Sequence, residues 1–175
     1  NNIAILNYSG GAYTRVELLY KPLSDAISNY KGLLITSAGN DALNTDDSNN
    51  RHYPSCYDFD NIISVAATDS LDTLYYSSNY GSTSVDLGAP GAGIYSTKIN
   101  DDYGRDTGTS MAAPQVTGAI ALLKSYFPGA TTDQLKWAIL EGVDSCSALA
   151  NKTVTGGRLN IYNSFLKMIE YQFVQ

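Results

Sequence analysis

A serine stands among small residues in the stretch GTSMAAP, residues 108–114. Thr109 and Met111 flank Ser110, and Gly108 and Ala112 add almost no bulk around its hydroxyl. A serine hydroxyl becomes a nucleophile for acyl transfer once a base activates it, and open space around the oxygen favours that use. Ser and Thr are also preferred helix N-caps, so the stretch taken alone equally fits an ordinary helix start.

A second polar residue, Asn40, follows the small residues of the stretch TSAG at residues 36–39. The apolar run before it is typical of a buried strand, and the end of such a strand can direct a carboxamide into a cleft. A carboxamide held there can donate hydrogen bonds to a group bound in the cleft. Asn40 is therefore a second candidate site residue, distant from Ser110 in the sequence.

The elements that must position these residues are predicted to be parallel strands covered by helices. Four short, nearly continuous apolar runs end in Gly, Ser or Pro: residues 2–9, 33–39, 62–68 and 84–90. Runs that are apolar on both faces suit parallel strands with helices on either side. The sequence therefore predicts an α/β fold, with these strands adjacent in chain order and helices on both faces of the sheet.

A helix is predicted between the first two strands. Apolar residues recur there at helical spacing: Val16, Leu19, Leu23, Ile27 and Tyr30. Gly32 can end this helix, and Pro22 inside it implies either a kink or a late start.

The segment after Ser110 is predicted to be a helix over residues 110–127, apolar nearly all round and therefore central and buried. Pro114 is interpreted as a residue of its first turn, where proline is tolerated. Ser110 then lies at the amino end of the helix, where unpaired N–H groups and the helix dipole favour negative charge.

Two further helices are predicted towards the end of the chain. The residues TTDQ at 131–134 form a capping-box pattern for a helix through Leu140, with Gly142 as its stop. A last helix is predicted from Ile161 to Tyr171.

Composition excludes several functional classes. The 175 residues fit one domain, and 43% hydrophobic with 16% charged residues indicates a globular chain. The net charge of −6 and the scattered Lys and Arg argue against a nucleic-acid partner, and no apolar run approaches membrane-spanning length.

Cys56 and Cys146 could form one disulfide, although sequence cannot establish that they meet. The abundance of Tyr, Asn, Ser and Gly suits an extracellular surface.

Several motifs in order resemble the carboxy-terminal part of the subtilisin-like serine proteases. They are SAGND (37–41), YP (53–54), NIISVAATD (61–69), GAPG (88–91), GTSMAAP (108–114) and GGRLNIYNS (156–164). The resemblance covers essentially the whole chain, and GTSMAAP with an upstream AGN is a specific combination. It implies that residues 1–175 form the carboxy-terminal part of a single peptidase domain of the subtilisin-like fold, with the amino-terminal part absent.

The resemblance also assigns roles to individual residues. Ser110 is the nucleophile, Asn40 and the Ser110 backbone N–H form the oxyanion hole, and Thr109 is expected to add a hydroxyl donor. Two segments resemble the walls of the pocket for the P1 side chain, the substrate residue before the cleaved bond: Ser9, Gly10 and Gly11, and Ser37, Ala38 and Gly39. The first segment is one bulky residue short of the family pattern, so an alignment shifted by one position stays open as an alternative. Small residues on both walls would admit a large apolar P1 side chain.

The resemblance further concerns a peptide bond and metal ions. It implies a cis bond between Tyr53 and Pro54, and no required cofactor, with calcium as a candidate structural ion. Asp86 resembles a position that contributes to a weak cation site, and the Asp46–Asp47 pair is a second candidate for calcium. The pair lacks the spacing of an EF-hand loop, and for both candidates a solvated turn is the favoured alternative.

The family's catalytic Asp and His motifs are missing from the sequence. The one histidine, His52, follows Asn40 instead of preceding it, no Gly-Thr comes after it, and we interpret it as a loop residue. We therefore expect that the chain begins inside the domain and that Asp and His lie upstream. We expect a secreted endopeptidase of peptides or proteins whose other partners are the missing amino-terminal part and an inhibitory propeptide. This chain alone is then inactive, and the alternative is a catalytically inactive subtilase-like binding or structural module.

Two other enzyme families fit less well. An α/β-hydrolase nucleophile elbow needs Gly-x-Ser-x-Gly directly after a strand and a later His. Here Ala112 replaces the last Gly, the preceding residues INDDYGRDT are not predicted to be a strand, and no His follows Ser110. The sedolisins replace His with Glu, but they carry Asp where this chain has Asn40 and lack the Met after serine.

Overall fold

The computed structural model describes residues 3–13 and 17–173. Its main sheet has six strands in the order β1-β2-β3-β4-β8-β7, and a separate two-stranded sheet pairs β5 with β6. The strands are β1 (Ile5–Tyr8), β2 (Leu33–Ser37), β3 (Ile62–Thr68), β4 (Leu87–Pro90), β5 (Ile94–Lys98), β6 (Asp102–Asp106), β7 (Asp144–Ser145) and β8 (Gly157–Arg158). The helices are α1 (Glu17–Asn29), α2 (Thr109–Tyr126), α3 (Thr132–Glu141) and α4 (Ile161–Phe173), with a short 3-10 helix at Ser147–Leu149.

The predicted parallel sheet and its strand order are confirmed. The first four strands pair in parallel with their neighbours, and every residue of β2 and β3 is buried. The β4 strand begins at Leu87 instead of residue 84. The carboxyl ends of β1 and β2 lie at the same edge of the sheet, which brings the residues after each strand close together.

Helices cover both faces of the sheet, as predicted. Alternate residues of β2 divide between two apolar clusters: Leu34 packs with Ile27 of α1, whereas Ile35 packs with α2, α3 and α4. This division explains why the strands are apolar on both faces.

Helix α1 contains Pro22 at its sixth described position, so the late start that we considered is wrong. Val16, which we included in the helical pattern, lies outside the described residues, and the side chain of Leu19 is not described either.

Helix α2 differs from the prediction in two ways. It begins at Thr109, so Pro114 is its sixth residue and lies beyond the first turn. The helix is also not buried all round: Leu122 is 45% exposed, and Tyr126 is 63% exposed although its ring contacts Phe165 of α4.

The hairpin formed by β5 and β6 was not predicted. Residues 102–106, which we considered not to form a strand, are β6, antiparallel to β5. This strand lies outside the main sheet, so it does not supply the strand of an α/β-hydrolase elbow.

The predicted capping box at the start of α3 is confirmed. The Thr131 hydroxyl accepts from Gln134 N–H, the Gln134 side chain accepts from Thr131 N–H, and Gly142 follows the last residue of the helix.

The predicted cis bond between Tyr53 and Pro54 is present. Cys56 and Cys146 are both free thiols and form no disulfide. No helix among the described residues has both the length and the apolar character needed to cross a membrane.

Candidate active site

Ser110 is the second residue of α2 and is half-buried. Its hydroxyl donates to the carbonyl oxygen of Ser9 over 3.1 Å, and the Ser9 hydroxyl donates to the carbonyl oxygen of Ser110 over 2.9 Å. The second bond is possible because Pro114 has no N–H to donate to the Ser110 carbonyl, which lies four residues earlier in the helix. Proline beyond the first turn thus leaves an acceptor that ties the start of α2 to the segment after β1.

Asn40 lies directly against the start of α2. Its Oδ1 accepts from the backbone N–H of Thr109 over 2.8 Å and from the Thr109 hydroxyl over 3.0 Å. Because both of these partners donate, Oδ1 must face Thr109, and the Nδ2 group makes no hydrogen bond to any described residue. The Nδ2 hydrogens and the unpaired N–H groups at the amino end of α2 therefore remain available as hydrogen-bond donors next to Ser110.

The Thr109 hydroxyl is bonded within the protein, where it fixes the Asn40 side chain. The residue is fully buried, and its hydroxyl accepts from Gly39 N–H over 3.2 Å while donating to Asn40. The expected direct hydroxyl donation from Thr109 to an oxyanion therefore does not fit this geometry, because the hydroxyl proton is already used.

A buried asparagine that the sequence analysis missed fixes the loop around Asn40. The side chain of Asn79 accepts from the N–H groups of Asp41 and Leu43 and donates to the carbonyl oxygen of Ala38, with all three distances between 2.8 and 3.0 Å. It also donates to the hydroxyl of Tyr13, which donates to Asp41. Burial, and then the hydrogen bond to Asp41, raise the pKa of Tyr13 to about 12. Asn79 is about 40 residues from Asn40 in sequence, and no local pattern indicates this contact.

The two predicted pocket walls differ in exposure. Ser9 is exposed and contacts Ser110, whereas Ser37, Ala38 and Gly39 are all buried. Gly39 has a φ of 104°, a conformation that favours glycine.

Two glycines of these walls, Gly11 and Gly39, are needed for internal packing, which corrects one argument from sequence. A Cβ at Gly11 would lie 2.2 Å from the ring of His52, and a Cβ at Gly39 would lie 2.3 Å from the side chain of Asn79. The space that these glycines leave is filled by the protein's own side chains. Small residues here therefore do not by themselves indicate a large apolar P1 side chain.

His52 is a loop residue, but a buried one. Its Nδ1 pairs with the Ser55 hydroxyl at 3.0 Å, and its ring lies 5.0 Å from the Tyr13 ring. Burial lowers the pKa of His52 below its usual range, and the carboxylate of Asp41 only partly opposes this. Among the described contacts of Ser110 there is no imidazole, and none of those of His52 is to Ser110.

The two candidate metal positions are both engaged by protein groups. Asp46 accepts from the hydroxyls of Ser82, Thr83 and Ser84, and Asp47 accepts from the backbone N–H of Asn49. Asp86 was favoured as a solvated turn residue, but one of its carboxylate oxygens accepts from the backbone N–H of Ser64 over 2.6 Å, and burial raises the pKa of Asp86. Within the described parts of the chain, no group of three or more His, Cys, Asp or Glu side chains is arranged to hold a metal ion.

A family model and similar curated proteins agree on one family for this chain. The model described as the Subtilase family matches residues 1–160. The chain is 37% identical over 124 residues to the Major intracellular serine protease of Bacillus subtilis, and 37% identical over 134 residues to Thermitase of Thermoactinomyces vulgaris. These alignments cover 71% and 77% of this chain but only 38% and 44% of the relatives, so the chain spans less than half the length of these curated relatives.

Solved structures agree with the sequence matches. A chain from a study of subtilase cytotoxin assembly superposes with a TM-score of 0.79 at 25% identity, over 97% of this chain and 60% of that one. A protease from Pseudoalteromonas arctica superposes with a TM-score of 0.77 at 26% identity, over 94% of this chain and 51% of that one.

Proposed function

The chain belongs to the subtilase family, and from this premise we propose that it is the carboxy-terminal part of a serine endopeptidase domain with Ser110 as nucleophile. The observation that supports this most is the contact between Asn40 and the start of α2. The Asn40 carboxamide is fixed by Thr109 with its N–H group free, one residue from the Ser110 hydroxyl.

The proposed mechanism follows from this arrangement. The Ser110 oxygen attacks the carbonyl carbon of a peptide bond while a base removes its proton, and the carbonyl oxygen becomes an anion. The backbone N–H of Ser110 and the Nδ2 of Asn40 donate to that anion, which stabilises the tetrahedral intermediate. The intermediate then expels the amine, to which the base returns the proton. Water repeats the sequence on the acyl-enzyme and releases the acid.

We infer that the base and its orienting carboxylate lie upstream of Asn1. The described contacts of His52 are with Tyr13, Ser55 and Cys56, so it is engaged elsewhere. The relatives are more than twice as long as the matched region, which leaves room in the complete domain for the two residues.

The substrates we propose are peptides or proteins, bound along the segment Ser9–Gly11 and beside Asn40, which follows the buried segment Ser37–Gly39. The other proposed partners are the amino-terminal part of the domain and an inhibitory propeptide, and structural calcium bound elsewhere in the domain is a further proposal. We also propose an extracellular location. The composition favours it, although the names of the relatives include both an intracellular and an extracellular serine protease.

Fluorophosphonate labelling tests this proposal, because the reagent reacts with activated serines. The complete protein should be labelled and should cleave casein, and the Ser110→Ala variant should do neither. Residues 1–175 alone should behave like that variant, and adding the amino-terminal part should restore labelling.

Two outcomes would contradict the proposal in different ways. An unlabelled, inactive complete protein would favour the non-catalytic module. Cleavage that depends on Ser110 by residues 1–175 alone would mean that the base lies within this chain, and His52→Ala would then be the first variant to measure.

A further inference from the structure

A polar cavity of about 410 Å³ lies at the opposite end of the sheet from Ser110. Among its lining residues are Ile62, the first residue of β3, and Asp86, which directly precedes β4. The carboxyl ends of the strands carry Ser9 and Asn40, so this cavity at the amino ends is separate from the candidate active site. Its charged lining residues are Arg51, Asp58, Asp60, Asp86 and Lys136.

Lys136 of α3 directs its ammonium at two backbone carbonyls of this region. Its Nζ donates to the carbonyl oxygen of Asp60 over 2.9 Å and to that of Ile62 over 2.8 Å. Two carbonyl oxygens that converge on one positive atom form an arrangement that also suits a bound cation.

Asp86 adds the negative charge. Its carboxylate is held by the backbone N–H of Ser64, and its own N–H donates to the Ser64 carbonyl, so the side chain cannot turn away without breaking this pairing. Burial raises the pKa of Asp86, and the positive charge of Lys136 opposes that shift. The ammonium and the carboxylate therefore interact electrostatically, although no ion pair within 4.0 Å is formed between them.

A metal ion does not fit with these residues. Calcium takes six to eight oxygen ligands, whereas here the carbonyl oxygens of Asp60 and Ile62 converge on the Lys136 ammonium and the Asp86 carboxylate is bonded to Ser64 N–H. A metal ion bound by the carbonyls of Asp60 and Ile62 would have to displace the ammonium and would be repelled by it at close range. The cation site implied by the family resemblance at Asp86 is thus incompatible with Lys136 in its present position.

We propose that the ammonium of Lys136 acts as a built-in cation at this site, in place of the metal ion that the resemblance implies. The ammonium donates to both carbonyl oxygens and opposes the negative charge of Asp86, so this part of the fold is stable without calcium or potassium. The inference does not depend on the proposed peptidase activity, because it concerns only cation binding and stability.

Calorimetric titration and thermal unfolding of the complete protein test this proposal with CaCl₂ and KCl as the probes. Wild type and Asp86→Asn should bind the same number of cations, with the same cation-induced change in Tm. Lys136→Ala should unfold several degrees lower in chelator and should gain one saturable cation site that raises its Tm. The double variant Lys136→Ala/Asp86→Asn should lack that extra site.

Two controls separate the lysine's position from its charge. Lys136→Arg keeps a cation and should show no extra site, and Lys167→Ala removes a lysine of α4 outside the cavity and should titrate like wild type. A Lys136→Ala protein that folds only when CaCl₂ or KCl is present would also support the proposal, provided that the double variant does not fold under the same conditions.

The proposal would be overturned by either of two results. One is a cation site in wild type that disappears in Asp86→Asn, because the lysine would then not exclude the ion. The other is a folded Lys136→Ala protein without any cation response that depends on Asp86.

Discussion

The two polar atoms of the Asn40 carboxamide have different partners, so substitution can separate them. Asn40→Asp keeps an acceptor for Thr109 but removes the Nδ2 donor, whereas Asn40→Ala removes both. In the complete enzyme both variants should lower kcat by about 10²–10³, the loss already known for the oxyanion-hole donor of subtilisin, a family relative, with little change in KM.

Stability distinguishes these two variants. Asn40→Ala leaves the Thr109 N–H without its partner and should lower the free energy of unfolding by about 1 kcal/mol in urea titrations, beyond any effect of Asn40→Asp. An Asn40→Asp enzyme with unchanged kcat would exclude Asn40 as a donor to the transition state.

Thr109 is expected to act on the reaction through Asn40. Thr109→Val keeps the side-chain shape but removes the hydroxyl, which leaves the buried N–H of Gly39 unpaired. The free energy of unfolding should fall by about 1–3 kcal/mol, and kcat should fall because Asn40 loses one of its two anchors. Thr109→Ser should recover both quantities. A loss of stability with full kcat would mean that Thr109 does not position Asn40.

At the scale of elements, Asp46 joins the loop after β2 to the segment before β4. Burial alone would raise its pKa, but the hydrogen bonds from Thr83, Ser84 and Ser82 outweigh burial and lower the pKa of Asp46 to about 2, from an ordinary value of 3.8. A carboxylate whose pKa is lower in the folded state stabilises the fold above pH 4, and this stabilisation is lost as the pH falls towards 2.

Urea unfolding at several pH values measures this effect. Asp46→Asn should be about 1 kcal/mol less stable than wild type at pH 7, a value reduced for screening by solvent, and the difference should vanish near pH 2. Asp47→Asn is the matched control, since Asp47 bonds only within its own turn. A difference between Asp46→Asn and wild type that persists at pH 2 would show that charge is not the cause.

The elements that sequence could predict are those with a strong apolar pattern. Strands β2 and β3 are apolar on both faces because helices cover both, whereas β6 is exposed and polar and carries no such signal. Site residues were likewise predictable only where they adjoin an element with such a pattern. Ser110 and Asn40 lie at the ends of predictable elements, whereas the contacts of Asn79 and Lys136 join distant segments and leave no local pattern.

At the scale of the whole molecule, β1 is the terminal strand of the main sheet and has exposed apolar side chains. Leu6 is 39% exposed and Tyr8 is 46% exposed, and Leu122 of α2 is also exposed. An edge strand with exposed apolar residues favours self-association unless something covers it. We expect the amino-terminal part of the domain to cover this edge.

A charge on this strand tests that expectation. In residues 1–175 alone, Leu6→Lys should reduce self-association measured by sedimentation, and it should weaken the recovery of labelling when the amino-terminal part is added. Ile99→Lys, at the exposed tip of the β5–β6 hairpin, should leave this recovery unchanged. Full recovery with Leu6→Lys would show that the partner binds elsewhere.

The paired hydrogen bonds between Ser9 and Ser110 set up a competition for one proton. A hydroxyl donates to one acceptor at a time, so a Ser110 proton given to the Ser9 carbonyl is withheld from any base. If that resting state is favoured tenfold, acylation slows by about tenfold. If the proposed function holds, a substrate N–H bonded to the Ser9 carbonyl would displace the hydroxyl and turn it towards the base, so that binding of the peptide would activate Ser110.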